Sequence, residues 1–133
     1  MKFLHSMIRV ADVDKSLKFY KELLGLNLLS QSDLEDCTLY FLGEDENLPQ
    51  IELTYNWETP KEGYKNGNAF GHFAFEVDDM QKFTQKADEL GYEFMYGGPF
   101  DLDLKKPDGS IEVKKIAFLA DPDGNEIEII EKN

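Results

Sequence analysis

His5-Ser6-Met7-Ile8-Arg9-Val10-Ala11-Asp12 and His72-Phe73-Ala74-Phe75-Glu76-Val77-Asp78-Asp79 are the two stretches on which the fold turns. Each alternates as a strand does, and each ends in acids suited to the start of a helix. Histidine at 5 and 72, valine at 10 and 77, and aspartate at 12 and 79 all recur at one spacing, 67 residues. One period shared by three residue types reads as a duplicated unit.

Working outward from the first copy, Ser6, Ile8 and Val10 share one strand face, and His5, Met7 and Arg9 share the other. Asp14 can then cap a helix from Lys15 to Leu24, with Leu17, Tyr20 and Leu24 as its apolar stripe and Gly25 as its left-handed stop. Leu26–Ser30, Thr38–Leu42 and Gln50–Asn56 read as three further strands, which makes the unit βαβββ. In the second copy the helix stripe is Met80, Phe83, Ala87 and Leu90, closed by Gly91. Glu52 and Glu128 are 76 apart, so the second copy has gained residues, and these fall around 101–111. Lys-Pro-Asp-Gly at 106–109, between alternating Leu102, Leu104 and Ile111, Val113, signals a hairpin within a structured loop. A Gly-rich stretch, 61–71, suits an exposed linker. The expected organisation is one domain over 1–133, with repeats at 1–60 and 68–133 and an α+β fold.

The 133 residues include 14 Lys plus Arg and 27 Asp plus Glu, a formal charge of −13. That field opposes nucleic acid and anionic lipid as partners. The single cysteine, Cys37, closes off an internal disulfide and the thiolate zinc frameworks, and a reducing, cytoplasmic setting is the default expectation. Arg9, Asp12 and Asp14 interrupt the N-terminal region before an apolar targeting or spanning segment can form.

A histidine on a strand is ordinarily a surface or core residue, and most acids on a strand face simply meet water. His5 and His72 differ as a pair: they are the only two histidines, they occupy equivalent positions, and each lies opposite its strand's core face. In Ile51-Glu52-Leu53-Thr54-Tyr55-Asn56 the apolar residues take one face, and Glu52, Thr54 and Asn56 take the other. In Glu126-Ile127-Glu128-Ile129 the isoleucines are core, so Glu128 projects with Glu126 and Ile130. Two imidazoles and two carboxylates suit Ni²⁺, Co²⁺, Mn²⁺ or Fe²⁺ alongside Zn²⁺. Four such ligands leave two positions of an octahedral shell open to a substrate with adjacent oxygens.

The run His5 to Val10 with Phe19-Tyr20 and Leu23-Leu24-Gly25, then Ile51-Glu52-Leu53-Thr54-Tyr55-Asn56, Gly71-His72, and Asp121-Pro122-Asp123-Gly124 with Ile127-Glu128 resemble the glyoxalase I family. The resemblance is to the short bacterial form within the vicinal-oxygen-chelate superfamily, and it spans nearly the whole chain. It implies paired βαβββ units forming a half-open barrel. It also implies metal ligands at His5, Glu52, His72 and Glu128, with Ni²⁺ as the ion, Co²⁺ as the alternative, and Zn²⁺ less active. The implied reaction isomerises the hemithioacetal of methylglyoxal and glutathione, or another thiol, to the lactoyl thioester through a cis-enediolate. Glu128 would be the main base and Glu52 its counterpart, with Arg9 and Asn56 binding the thiol. The basic loop that grips the glycyl carboxylate in that family is replaced here by the insertion with Lys105 and Lys106, followed by Lys114 and Lys115. A homodimer is implied, with each metal held within one chain or shared between two. The competing readings are another metal enzyme of the superfamily, an epimerase or a dioxygenase, and a metal-free ligand-binding or drug-sequestering module.

Overall fold

A computed structural model describes residues 1–133 as two compact units, Met1–Gly67 and Asn68–Asn133. Each unit is an open four-stranded mixed sheet with helical structure after its first strand, so the α+β class and the duplicated βαβββ order are both present.

The first unit runs β1 (His5–Arg9), α1 (Val13–Leu17), a π-helical segment (Lys18–Leu23), β2 (Asn27–Asp33), β3 (Cys37–Gly43) and β4 (Gln50–Asn56). Its strand order is β1-β4-β3-β2, with β1 and β4 parallel and the other pairs antiparallel. The helix cap is Asp12 and not Asp14: the Asp12 side chain accepts from Lys15 N at 3.1 Å, and its carbonyl from Ser16 N at 3.0 Å. Asp14 lies already inside the first turn, where its charge still favours the helix N-terminus. The expected stripe of Leu17, Tyr20 and Leu24 also shifts. Ser16, Phe19, Tyr20 and Leu23 are the buried positions, because the chain winds more widely from Lys18 onward and Leu24 N donates to Phe19 O, five residues back. Gly25, at φ 73°, ends the segment as expected.

The second unit repeats the plan with β5 (His72–Val77), α2 (Met80–Glu89), β6 (Phe94–Lys105), β7 (Ile111–Ala120) and β8 (Glu126–Glu131), ordered β5-β8-β7-β6. Asp79 caps α2 through Lys82 N, and Glu131 Oε2 accepts from Met80 N at 2.6 Å, so the helix start has two acceptors. Met80, Phe83 and Ala87 are buried, and the Phe83 ring meets Phe94 edge-on at 6.2 Å. This places α2 over the sheet face that carries Leu119, Ile127 and Ile129, each fully buried. The residues around 101–111 are no separate loop. They lengthen β6 and β7 into one hairpin, paired from Phe100↔Ile116 to Lys105↔Ile111, and only 106–110 turn. The alternation of Leu102, Leu104, Ile111 and Val113 is therefore that of paired strands.

Candidate metal and proton-transfer residues

Parallel pairing of the first and last strands sets the candidate residues in each unit. On β1 and β4, His5 stands opposite Gln50, and Glu52 lies two residues further along the same face. On β5 and β8, His72 stands opposite Glu126, with Glu128 two further along. The offset is identical, so each histidine meets its glutamate diagonally across neighbouring strands. His72 Nε2 and Glu128 Oε2 are 3.0 Å apart, and His5 Nε2 and Glu52 Oε2 are 3.8 Å apart.

The two carboxylates are far less exposed than the histidines beside them. The Glu52 and Glu128 side chains are 12% and 14% exposed, while both histidine side chains are 41% exposed. Thr54 and Cys37 in the first unit and Ile116 in the second are buried on the same faces. Period-2 reading separates the two sides of each sheet correctly, but it does not reveal how little exposed the two carboxylates are on a side where His5, Met7, Arg9 and His72 stay exposed.

Each pair has an aromatic neighbour that sequence reading missed. Phe41 is the register partner of Glu52 and meets the His5 ring edge-to-face at 5.3 Å. Phe118 is the register partner of Glu128 and meets the His72 ring in the same way at 5.6 Å. A His–Glu–Phe triplet thus occurs twice, with the phenylalanine edge limiting the imidazole's rotation.

Two ligands at right angles about one ion, each at roughly 2.1 Å, stand roughly 3 Å apart. The His72–Glu128 separation fits that value, and the His5–Glu52 separation of 3.8 Å is wider. The donor set is imidazole plus carboxylate in each unit, with no thiolate, which suits a borderline or hard divalent cation. The structure brings the donors together as pairs, and no group of three or more metal-binding side chains forms.

Arg9 is on the His5 face of β1, opposite Thr54. Asn56 is on the Glu52 face of β4, and its amide donates to the Tyr64 hydroxyl at 3.0 Å. Beside it Trp57 Nε1 donates to Thr38 Oγ1 at 3.0 Å, and that hydroxyl donates to Asp33 Oδ1 at 2.7 Å. Cys37 lies opposite Asn56, and burial raises its thiol pKa; the charges of Asp36 and Glu52 add to the effect and Arg9 opposes it. In the β6–β7 hairpin, Glu112 takes Lys106 at 2.6 Å and Lys114 at 3.0 Å, and these partners hold its carboxyl at about 2.

A lactoylglutathione lyase of Haemophilus influenzae is 41% identical over 135 residues, covering 98% of this chain and 93% of that protein. A probable lactoylglutathione lyase of a Synechocystis strain is 44% identical over 137 residues, covering 98% and 95%. Among solved structures, the trypanothione-dependent glyoxalase I of Leishmania major aligns with a TM-score of 0.77 at 33% identity, over 98% of this chain and 86% of that one. The family model described as Glyoxalase/Bleomycin resistance protein/Dioxygenase superfamily matches residues 2–129, a span that takes in both His–Glu pairs and both βαβββ units, and the chain belongs to that superfamily.

Proposed function

We propose that this chain is a metal-dependent lactoylglutathione lyase, acting as one domain over 1–133 on the hemithioacetal that methylglyoxal forms with glutathione. The observation that supports it most is the duplicated His–Glu pair at one register offset, with spacings of 3.0 and 3.8 Å, the first of which suits neighbouring ligands of one ion. His5, Glu52, His72 and Glu128 are the four ligands in this reading. A bound divalent cation supplies Lewis acidity to the substrate's two adjacent oxygens, which makes the neighbouring C–H acidic enough for a carboxylate base.

Glu128 is the base we favour. It takes the proton from C1 and returns it at C2, and it stands 3.0 Å from the His72 imidazole, whose ring in turn meets Phe118. Its low exposure keeps the transferred proton from exchanging freely with water. Glu52 does the corresponding work on the other face of the substrate. Arg9 supplies a cation for a carboxylate of the thiol, and Asn56, steadied by Tyr64, supplies an amide. Ni²⁺ is the preferred ion, with Co²⁺ next. The working form is a homodimer, and the lone cysteine suits a reducing cytoplasm. No helix is long and apolar enough to cross a membrane.

The test is isomerase activity of chelator-stripped protein, followed by thioester absorbance during separate titrations with Ni²⁺, Co²⁺ and Zn²⁺. Recovery with Ni²⁺ or Co²⁺ and little with Zn²⁺ is expected. Tight metal binding with no turnover of the glutathione adduct would overturn the substrate and keep the site.

A further inference from the structure

The two units treat the residue opposite the histidine differently. In the first unit it is Gln50, whose amide donates to Glu46 O at 3.3 Å. In the second it is Glu126, a full carboxylate on the same face as His72 and Glu128. A carboxylate in that place has the chemistry of a third ligand. It is held elsewhere: the Tyr96 hydroxyl donates to Glu126 Oε1 at 2.7 Å.

The backbone is shaped to deliver that hydroxyl. Between Met95↔Phe118 and Phe100↔Ile116, residues 96–99 of β6 stand opposite Ala117 alone, whereas the matching irregularity in β2 involves only Leu29. Tyr96 opens this bulge at φ 55°, and it is the one non-glycine residue at positive φ. Such a conformation persists where the surroundings require it. Burial does not supply the requirement, since Tyr96 is 62% exposed. Its ring meets Phe118 edge-on at 5.5 Å, and Phe118 in turn meets His72, so the tyrosine is linked through Phe118 to the histidine of the second pair.

We propose that Tyr96 is a positioning residue that withholds Glu126 from the metal, so that the second unit contributes two ligands and not three. This rests on the metal-site reading above. A third donor from one sheet would hold the ion more tightly and occupy a position that a chelating substrate needs.

The test compares wild type, Tyr96→Phe, Glu126→Gln and the double variant, each checked for folding by circular dichroism. Co²⁺ affinity is measured by calorimetry, the Co²⁺ site by visible absorption, and turnover alongside. Tyr96→Phe should bind Co²⁺ roughly tenfold tighter, the scale of effects from groups that orient ligands, with an altered spectrum and reduced kcat. Glu126→Gln should match wild type. The double variant should return to wild-type affinity and spectrum, which a purely structural role for Tyr96 would not produce. Unchanged or weaker Co²⁺ binding by Tyr96→Phe, or a double variant that keeps the Tyr96→Phe behaviour, overturns the proposal. A wild-type protein that binds no Co²⁺ overturns this proposal together with the metal site. A Co²⁺-binding but inactive wild type overturns only the proposed activity.

Discussion

The two units agree in the strands and disagree in what surrounds them. Both pair their first and last strands in parallel, both set histidine and glutamate at the same diagonal offset, and both place a phenylalanine edge against the imidazole. The first unit covers its core with five α-helical residues followed by a π-helical segment, and the second uses a ten-residue α-helix. The second also has the lengthened hairpin, the four-residue bulge and the closer His–Glu contact. A one-residue slip in strand register would send a ligand to the opposite face, so register is what a paired site must hold constant. A helix that only has to bury an apolar face can meet that need with different windings.

The largest expected effect tests whether the two pairs share the work equally. Glu128→Gln should lower kcat by ~10²–10⁴, the range for losing a general base, and Glu52→Gln by clearly less. Equal losses, with metal content verified, would mean that both carboxylates move protons and that Glu128 has no special role. Next, Phe19→Ala removes a fully buried ring from the π-wound segment. It should cost about 3–5 kcal/mol in urea denaturation, while half-buried Leu24 should tolerate alanine far better. The reverse ranking would restore the stripe of Leu17, Tyr20 and Leu24.

Smaller differences should appear at the helix starts. Asp12→Ala should cost about 1 kcal/mol, and Asp79→Ala less, because Glu131 still accepts from Met80 N. Thermal melts of the two variants would settle the order. The smallest effect lies in the hairpin that only the second unit extends. Lys106 and Lys114 hold Glu112 at about 2, below its ordinary 4.5. A carboxylate depressed in the folded state stabilises above its ordinary value, and that contribution is lost as pH falls from about 4.5 through about 2. Glu112→Gln should therefore melt slightly below wild type at pH 7, with the gap closing near pH 2. A gap that stays constant across that range would mean that Glu112 acts by packing and not by charge.

The sequence is most informative where physics has a short period. Strand alternation separates His5 and Glu52 from Ile8 and Leu53 without any structure, and the 67-residue repeat aligns the two histidines. Phe41 and Phe118 stay hidden because their placement depends on antiparallel register. That register is set by the connections between strands, which span 44–49 in one unit and 121–125 in the other. The faint signal is that each phenylalanine precedes its glutamate by a similar distance, 11 and 10 residues. Asp12 and Asp14 are both plausible caps on composition, and only the backbone of Asp12, at φ −128° and ψ 103°, decides between them. The bulge at Tyr96 has no clear mark beyond two glycines, since a tyrosine at positive φ contradicts local preference.

Parallel pairing of first and last strands also has a consequence for how the molecule is completed. His5 and Glu52 are 47 residues apart along the chain, and His72 and Glu128 are 56 apart. A cation held by either pair is a crosslink that closes nearly an entire unit. It is gained only once the last strand has docked beside the first, because until then the donors have not met. Its stabilisation therefore grows with free cation concentration as RT ln(1 + [M]/Kd), and it belongs to the finished unit alone. An ion held at the proposed site would fasten a unit whose strands have already paired, and its removal would withdraw that contribution and leave the strand pairing in place.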